Sequence, residues 1–382
     1  MNLINDKEKH NIEDKTKQKN LNTLRKVFGM EYVLQGLANP FQGITYQSFY
    51  KHFRCDYGLS EAITQNMFAN SYLAWSFKPL IGFLIDAYGK TKVILIVLLS
   101  LAIGFYLVTP IFDTGAKVFF ALMFSLSVVL AGTDVAVDRA TVVAGDEEAR
   151  ATGKSKSTTV GINQAICWAA VYGTGILAAV FGGYIADNVE INYLMIALAL
   201  VPLAVLMVVS FLPKDKATSI PLKESVFNFW GGLNTGAVLW IILFFFIFNF
   251  QPAMGPLWTN YLIESLEFSQ TQIGLAEGAT FAGFFLGVLV FVKFGVRWQE
   301  NFGFKSIFRI YILASVALNL TTYLLVDPWF SAITNTIASV LPGVDVENIR
   351  LVYMAVYNCL VSVATSIIRM SLYSLVGAVI PV

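Results

Sequence analysis

Apolar runs of about twenty residues, separated by short polar punctuation, follow one another from residue 27 to the end of the chain. A hydrocarbon core of about 30 Å takes about 20 helical residues to cross. The pattern predicts ten spans, at about 27–50, 62–86, 93–112, 117–143, 158–186, 191–213, 236–263, 270–295, 304–325 and 350–376. The predicted class is an all-α polytopic membrane protein. The apolar stretch from Trp329 to Leu341 is too short to span and predicts an outer-loop helix lying at the interface. Residues 1–26 mix Lys7, Lys9, Lys15, Lys17, Lys19, Arg25 and Lys26 with acids and amides, without the apolar centre of a signal peptide. They predict a retained, mobile cytoplasmic tail.

Composition sharpens this picture. Hydrophobic residues make up 56% of the 382 positions and charged residues 13%, too apolar a balance for one soluble core. A net charge of +1 leaves no separate basic domain for nucleic acid. Cys55, Cys167 and Cys359 are odd in number, far apart and outside any metal-ligand spacing, so free thiols packed as small apolar groups are expected. The two histidines, His10 in the tail and His52 in a short outer loop, leave no histidine-based catalytic or metal site in the membrane. No phosphate-binding loop or dinucleotide fingerprint is present, which argues against an enzyme, a nucleotide cofactor or direct ATP drive.

The loop charges orient the spans. Lys90 and Lys92, Arg150 with Lys154 and Lys156, Lys214 with Lys216 and Lys223, and Lys293 with Arg297 and Lys305 fall in alternate loops on the side of the basic tail. Asp187, Glu190, Glu264, Glu267, Asp345 and Glu347 lie in the opposite loops, so the positive-inside bias places the N-terminus in the cytoplasm. Asn39-Pro40-Phe41-Gln42 resembles Asn249-Phe250-Gln251-Pro252, and the segment before Ser60 resembles the one before Ser269, both at an offset of about 210 residues. Such a repeat predicts two related halves, at 27–213 and 236–382, joined by a cytoplasmic linker at 214–235.

Polar residues inside the spans are the candidate chemistry. Lys78, beside Pro79, stands in an apolar segment where a lysine costs about 2.5–3.5 kcal/mol at the bilayer centre. It either faces the central cavity, as an anion contact or as the partner of Asp134, or snorkels to the interface. Pro79 removes a helix bond and predicts a kink. Glu31, Gln35 and Asn39 recur at i, i+4 and i+8 and form one polar stripe, with Gln42 close to the same face. Asp134 and Asp138 lie one turn apart and can share a proton; the alternatives are a fixed ion pair with Lys78 or Arg139 that locks an inward gate, and substrate contact. Gln164 and Trp168 are further candidates on the fifth span. In the second half, Asn249, Gln251, Pro252, Pro256, Trp258 and Asn260 interrupt an apolar helix, and Glu277 is expected to be buried in the next. Arg369, lone in the tenth span, is either an anion contact or a positive-inside residue. Trp168 and Trp258 are candidates for stacking on a flat ring, against the alternative of ordinary core or interface aromatics.

Gly82-Phe-Leu-Ile-Asp86-Ala-Tyr-Gly89-Lys90-Thr-Lys92 resembles the signature between helices two and three of the major facilitator superfamily, with Ala87 where a basic residue is usual. The resemblance implies a two-bundle fold and a cytoplasmic gate in which Asp86 can bond a neighbouring helix terminus, and Arg139 is a second gate candidate. Within that superfamily the chain resembles the folate-biopterin transporter family, through Gln35-Gly36-Leu37, Gly58-Leu59-Ser60, Trp75-Ser-Phe-Lys78-Pro79-Leu80-Ile-Gly82, Asp134-Val-Ala-Val-Asp138, Ala165-Ile-Cys-Trp168, Gly182-Gly183, Pro256, Leu266-Glu-Phe-Ser269 and Gly274. Its members have twelve spans, so the last pair is expected to be missing here. The resemblance implies alternating-access transport of a folate- or pterin-like anion, with proton coupling left open. A sugar, amino acid or other metabolite is an alternative solute. A non-transporting scaffold beside a partner membrane protein is the alternative of a different class.

Overall fold

The computed structural model describes residues 2–212, 219–249, 258, 261–262, 265–341 and 343–379. Among them there is no β-strand, as expected where lipid offers backbone groups no partner. The N-terminal half comprises α1 (Asn2–Ala38), α2 (Thr45–Lys51) with a π-helical turn His52–Asp56, α3 (Glu61–Ser71), α4 (Leu73–Ser76), α5 (Lys78–Tyr88), α6 (Thr91–Phe112), α7 (Ala116–Thr152), α8 (Lys156–Asn188), α9 (Ile191–Leu198) and α10 (Leu200–Ser210). After the linker come α11 (Leu222–Leu233), α12 (Gly236–Asn249), α13 (Gln270–Val290) with a π-turn to Gly295, α14 (Val296–Phe302), α15 (Phe304–Leu320), α16 (Trp329–Val340) and α17 (Val346–Val379).

Among the described residues seven segments are long and apolar enough to cross a membrane: Thr91–Phe112, Ala116–Thr152, Lys156–Ala186, Ile191–Ser210, Gln272–Gly295, Lys305–Leu325 and Val346–Ser374. The other three predicted spans differ for local reasons. The first is not one helix through residue 50: α1 stops at Ala38 because Asn39 precedes Pro40, and a pre-proline residue disfavours the α region. The following turn is closed by the Gly43 N–H, which donates to the Asn39 carbonyl at 2.9 Å, and by Thr45 Oγ1, which lies 2.8 Å from the Pro40 carbonyl and 3.0 Å from that of Asn39. The second is cut at Tyr72 and Phe77 into α3, α4 and α5. Pro79 has no N–H for the carbonyl of Trp75, so the break falls just ahead of it, and Pro79 itself sits in the first turn of α5, where it is tolerated. The seventh continues into residues outside the described set.

Helix ends follow sequence signals. Ser60, Ser155 and Ser269 cap α3, α8 and α13, the last with Gln272 in a reciprocal capping box. Gly89 ends α5 at φ +70°, a left-handed value that glycine adopts without strain. The segments read as tail and linker both contain helix. The tail is helical from Asn2, in keeping with a segment that has no glycine or proline before Gly29. The linker forms α11, whose Phe229 ring meets Phe83 of α5 edge to face at 5.3 Å.

A large core joins α1, α6, α7, α9 and α10 through Phe28, Leu34, Leu99, Tyr106, Met123, Leu126 and Val205. It continues at one end into an aromatic cluster of Phe41, Phe49, Phe53, Phe68 and Phe119. A second core, with Leu266, Phe268, Phe330 and Met354, ties α13 to α16 and α17. Helix α8 packs along α13 and α17, and a smaller cluster of Ala165, Tyr172, Val288, Phe291 and Met370 lies in that seam.

Candidate functional site

The polar stripe of α1 packs against α7. Glu31, fully buried, accepts from Gln35 Nε2 (2.9 Å) and Thr133 Oγ1 (2.6 Å), both on its Oε1. Gln35 also donates to the carbonyl of Leu130 at 3.0 Å. Asn39 is buried too, but it bonds Gln42 within the turn after α1 at 3.3 Å, and Gln42 is exposed rather than on the buried face. The helix ends one residue before Asn39, so the i, i+4 spacing stops applying there.

One turn further along α7, Asp134 is paired with Lys78 of α5, whose ammonium also lies 4.7 Å from the Trp75 ring centroid. Asp138 takes different partners: the Tyr32 hydroxyl donates to it at 2.9 Å and Gln164 Nε2 at 3.3 Å. Gln164 donates to Thr141 Oγ1 as well, at 2.8 Å. Asp134 and Asp138 thus take separate partners, and of the alternatives read for this pair the ion pair with Lys78 is the one whose contact is present.

Arg369 of α17 faces α8. Its Nη1 donates to the Tyr172 hydroxyl at 3.0 Å, and its guanidinium lies 5.8 Å from the Trp168 ring and 5.6 Å from Phe284 of α13. Trp168 is stacked on Tyr373 at 5.2 Å with 8° between the planes and meets Tyr32 edge-on at 5.9 Å. The buried Trp168 Nε1 has no bonding partner among the described residues. Helices α1, α8, α13 and α17 thus bring Arg369 and the aromatic side chains Tyr32, Trp168, Tyr172, Phe284 and Tyr373 to one place beside the acidic groups of α7. Tyr32, Thr133, Tyr172 and Tyr373 were missed in the sequence. The spacing Trp168–Tyr172 and Arg369–Tyr373, four residues apart in each helix, was the available signal.

The remaining candidates lie elsewhere. Trp258 packs on Tyr261 at 5.4 Å within the second core and does not join Trp168. Glu277 is exposed rather than buried, within electrostatic reach of Tyr46. The side chain of Asn249 and all of Gln251 lie outside the described residues, as do Pro252, Pro256 and Asn260. Cys167 is buried, but Cys55 is exposed, against the expectation of a packed thiol. His52 is not simply a loop residue. It is buried with Nδ1 at 2.6 Å from Asp56 and Nε2 at 3.0 Å from Asp113, beside a cavity of about 250 Å³ lined also by Ser48, Lys51 and Glu190. Among the described residues no cluster of three or more His, Cys, Asp or Glu side chains is arranged to hold a metal.

At the opposite end, Arg139 Nε donates to Asp86 Oδ1 at 3.0 Å and its Nη1 to Thr91 Oγ1 at 3.2 Å. The linker reaches the same carboxylate: Ser225 Oγ donates to Asp86 Oδ2 at 3.3 Å, and the Ile220 N–H to the Asp86 carbonyl at 3.1 Å. One acid therefore ties α5, α7 and α11 together. Asp86→Ala should loosen α11, raising the rate of tryptic cleavage at Lys223 about tenfold if local opening is eased by about 1.4 kcal/mol. Unchanged cleavage would show that the aromatic contact to Phe83 holds the linker without Asp86.

Multiple membrane-length helices around a buried set of charged and aromatic side chains define a polytopic membrane protein with an internal polar site. The chain belongs to the BT1 family, whose model matches residues 35–336. This is a family of transporters, not of enzymes. The curated protein described as "Probable folate-biopterin transporter 4" of Arabidopsis thaliana is similar, at 24% identity over 212 residues. The match covers 53% of this chain and 42% of that relative's length.

Proposed function

We propose that the chain is a secondary transporter that moves a folate- or pterin-like anion by alternating access, with proton coupling. It has ten spans in two major facilitator-type bundles, 27–213 and 236–382, and its basic N-terminus lies in the cytoplasm. The observation that carries the substrate class is the meeting of α8 and α17, where Arg369 lies over Trp168 and Trp168 stacks on Tyr373. A flat heteroaromatic ring takes the place of one stacked partner, and a guanidinium held by a neutral tyrosine has charge to offer an anion. The contacts that a ligand would replace are the ones that close the two halves on each other, so binding and rocking use the same residues. The Asp86–Arg139–Ser225 cluster is the cytoplasmic gate, and Lys78–Asp134 is an ion pair that fixes α5 against α7.

The test is uptake of labelled folate or biopterin into proteoliposomes, with and without an inward proton gradient. Wild type should show saturable, gradient-stimulated uptake. Trp168→Ala and Arg369→Ala should each lower kcat/KM by about tenfold or more, the loss of one stacking or charge contact. Asp134→Asn should lower uptake as well. Saturable uptake that is indifferent to Trp168 and Arg369 would move the site elsewhere. Absence of uptake with a stoichiometric co-purifying membrane protein would favour the scaffold role.

A further inference from the structure

We propose that Glu31 is the carboxyl that loads and releases the coupling proton, and that the Thr133 hydroxyl relays its state to α7. This rests on the transporter reading above. Of the three acids gathered between α1 and α7, Asp134 has a lysine and Asp138 has the Tyr32 hydroxyl with Gln164, whereas Glu31 has only neutral donors. Those donors both address Oε1. No described protein group bonds the buried Oε2. An ionised carboxylate in that buried position leaves one oxygen without a protein donor, which is costly, while the neutral acid leaves only a carbonyl oxygen.

Thr133 makes the site two-state. Its Oγ1 lies 2.6 Å from Glu31 Oε1 and 2.7 Å from the carbonyl of Leu130, two acceptors for one hydroxyl hydrogen. With Glu31 ionised, Thr133 donates to the carboxylate and gives up Leu130. With a proton on Oε1, the acid donates to Thr133, and Thr133 donates to Leu130, so that every hydrogen in the chain has an acceptor. The two arrangements differ by one proton, and in both Oε2 is left without a described partner. Gln35 lends its amide to Oε1 and to the same Leu130 carbonyl in both. Thr133 immediately precedes Asp134, so a change in its bonding acts on the residue that holds Lys78.

The surroundings on every packed element favour a proton and leave no room for a larger ligand. From α7, Asp134 and Asp138 are like charges within reach of Glu31. From α8 the titratable neighbour is Cys167, a neutral thiol, and α10 brings no charged side chain. Tyr32 follows Glu31 on α1, and Lys78 reaches the group only through Asp134. Glu31 itself has no accessible surface, so the species that it exchanges is the smallest one. In each cycle a hydronium ion at one membrane face gives its proton to the carboxylate, leaving water, and the acid returns the proton to water at the other face.

The experiment is infrared titration of the full chain in lipid nanodiscs, following the carboxylic-acid C=O stretch across pH, together with proteoliposome assays using labelled folate. The acid band should titrate in the wild type, vanish in Glu31→Gln, shift in frequency in Thr133→Val and survive in Asp138→Asn. In the transport arm, Glu31→Gln should keep folate exchange while losing gradient-driven accumulation by about tenfold or more, the size of an ordinary coupling energy. A band that persists in Glu31→Gln, or that disappears in Asp138→Asn, overturns the proposal. If Glu31→Gln does not fold, an unshifted band in Thr133→Val overturns it instead. Failure of the wild type to move folate defeats the substrate reading, while the infrared band still decides the role of Glu31.

Discussion

Lys78→Ala is expected to destabilise the protein by about 3 kcal/mol and to recover part of that loss when Asp134→Asn is added. Asp134 sits on α7 with its side chain 6% exposed, and among the described residues Lys78 is the cation paired with it. Removing the lysine leaves a carboxylate in a low-dielectric interior, where the penalty is the unpaired charge rather than the lost attraction. Lys78 is itself 34% exposed, which places the cost at the lower end of what a broken buried pair entails. The double variant removes the stranded charge and should be more stable than Lys78→Ala by at least about 1 kcal/mol. Thermal unfolding in detergent, compared across the four members of the cycle, measures this directly. Equal stability of the single and double variants would mean that the two charges do not depend on each other, and the role of Lys78 as the clamp between α5 and α7 would fall with it.

Gly283→Val should cost about 3 kcal/mol for a different reason. A Cβ at position 283 would lie 2.3 Å from the carbonyl oxygen of Cys359 and 2.8 Å from its Cα, and one at Gly287 would lie 2.6 Å from the carbonyl of Val363. These are backbone atoms of α17, which cannot move without separating the helices. Gly283 and Gly287 are one turn apart on α13, opposite Ser362 and Ser366, and Ser366 Oγ donates to the Phe284 carbonyl at 2.8 Å. In lipid, where apolar surface gives little reason for helices to associate, close approach of small residues supplies the contact. The variant should lose folded protein on heating, whereas Gly104→Val, with nothing within 4 Å of its Cβ, should not. Equal effects at the two positions would show that the loss reflects helix propensity alone.

Much of the helical plan was legible because each span is a local matter. Residues 91–112, 116–152, 156–188 and 346–379 are helical where the apolar runs predict helices, and serines or glycines mark several of their ends. The extension of α7 to Thr152, beyond the predicted 143, follows from Asp146, Glu147, Glu148 and Arg150. These residues sustain a helix after the apolar stretch is over, until Gly153 adopts a left-handed φ of +71°. The first two predicted spans are interrupted helices rather than single ones because hydropathy counts residues without regard to Pro40 and Pro79, whose missing N–H groups act on the carbonyls four residues earlier. The α1 stripe was legible as far as Gln35 and failed at Asn39 for the same reason.

The amino-acid sequence by itself determined that this protein is helical and crosses a membrane, and that Glu31, Lys78, Asp134, Asp138 and Arg369 stand within its apolar spans. Long apolar segments must satisfy their own backbone, so length and hydropathy suffice for the first point. Only the tertiary structure decided that Lys78 meets Asp134, that Tyr32 and Gln164 take Asp138, and that Arg369 lies against Trp168 while Trp258 does not. Helical periodicity fixes which residues share a face of one helix. Which other helix that face meets depends on packing between segments distant in the chain, and no local spacing encodes it.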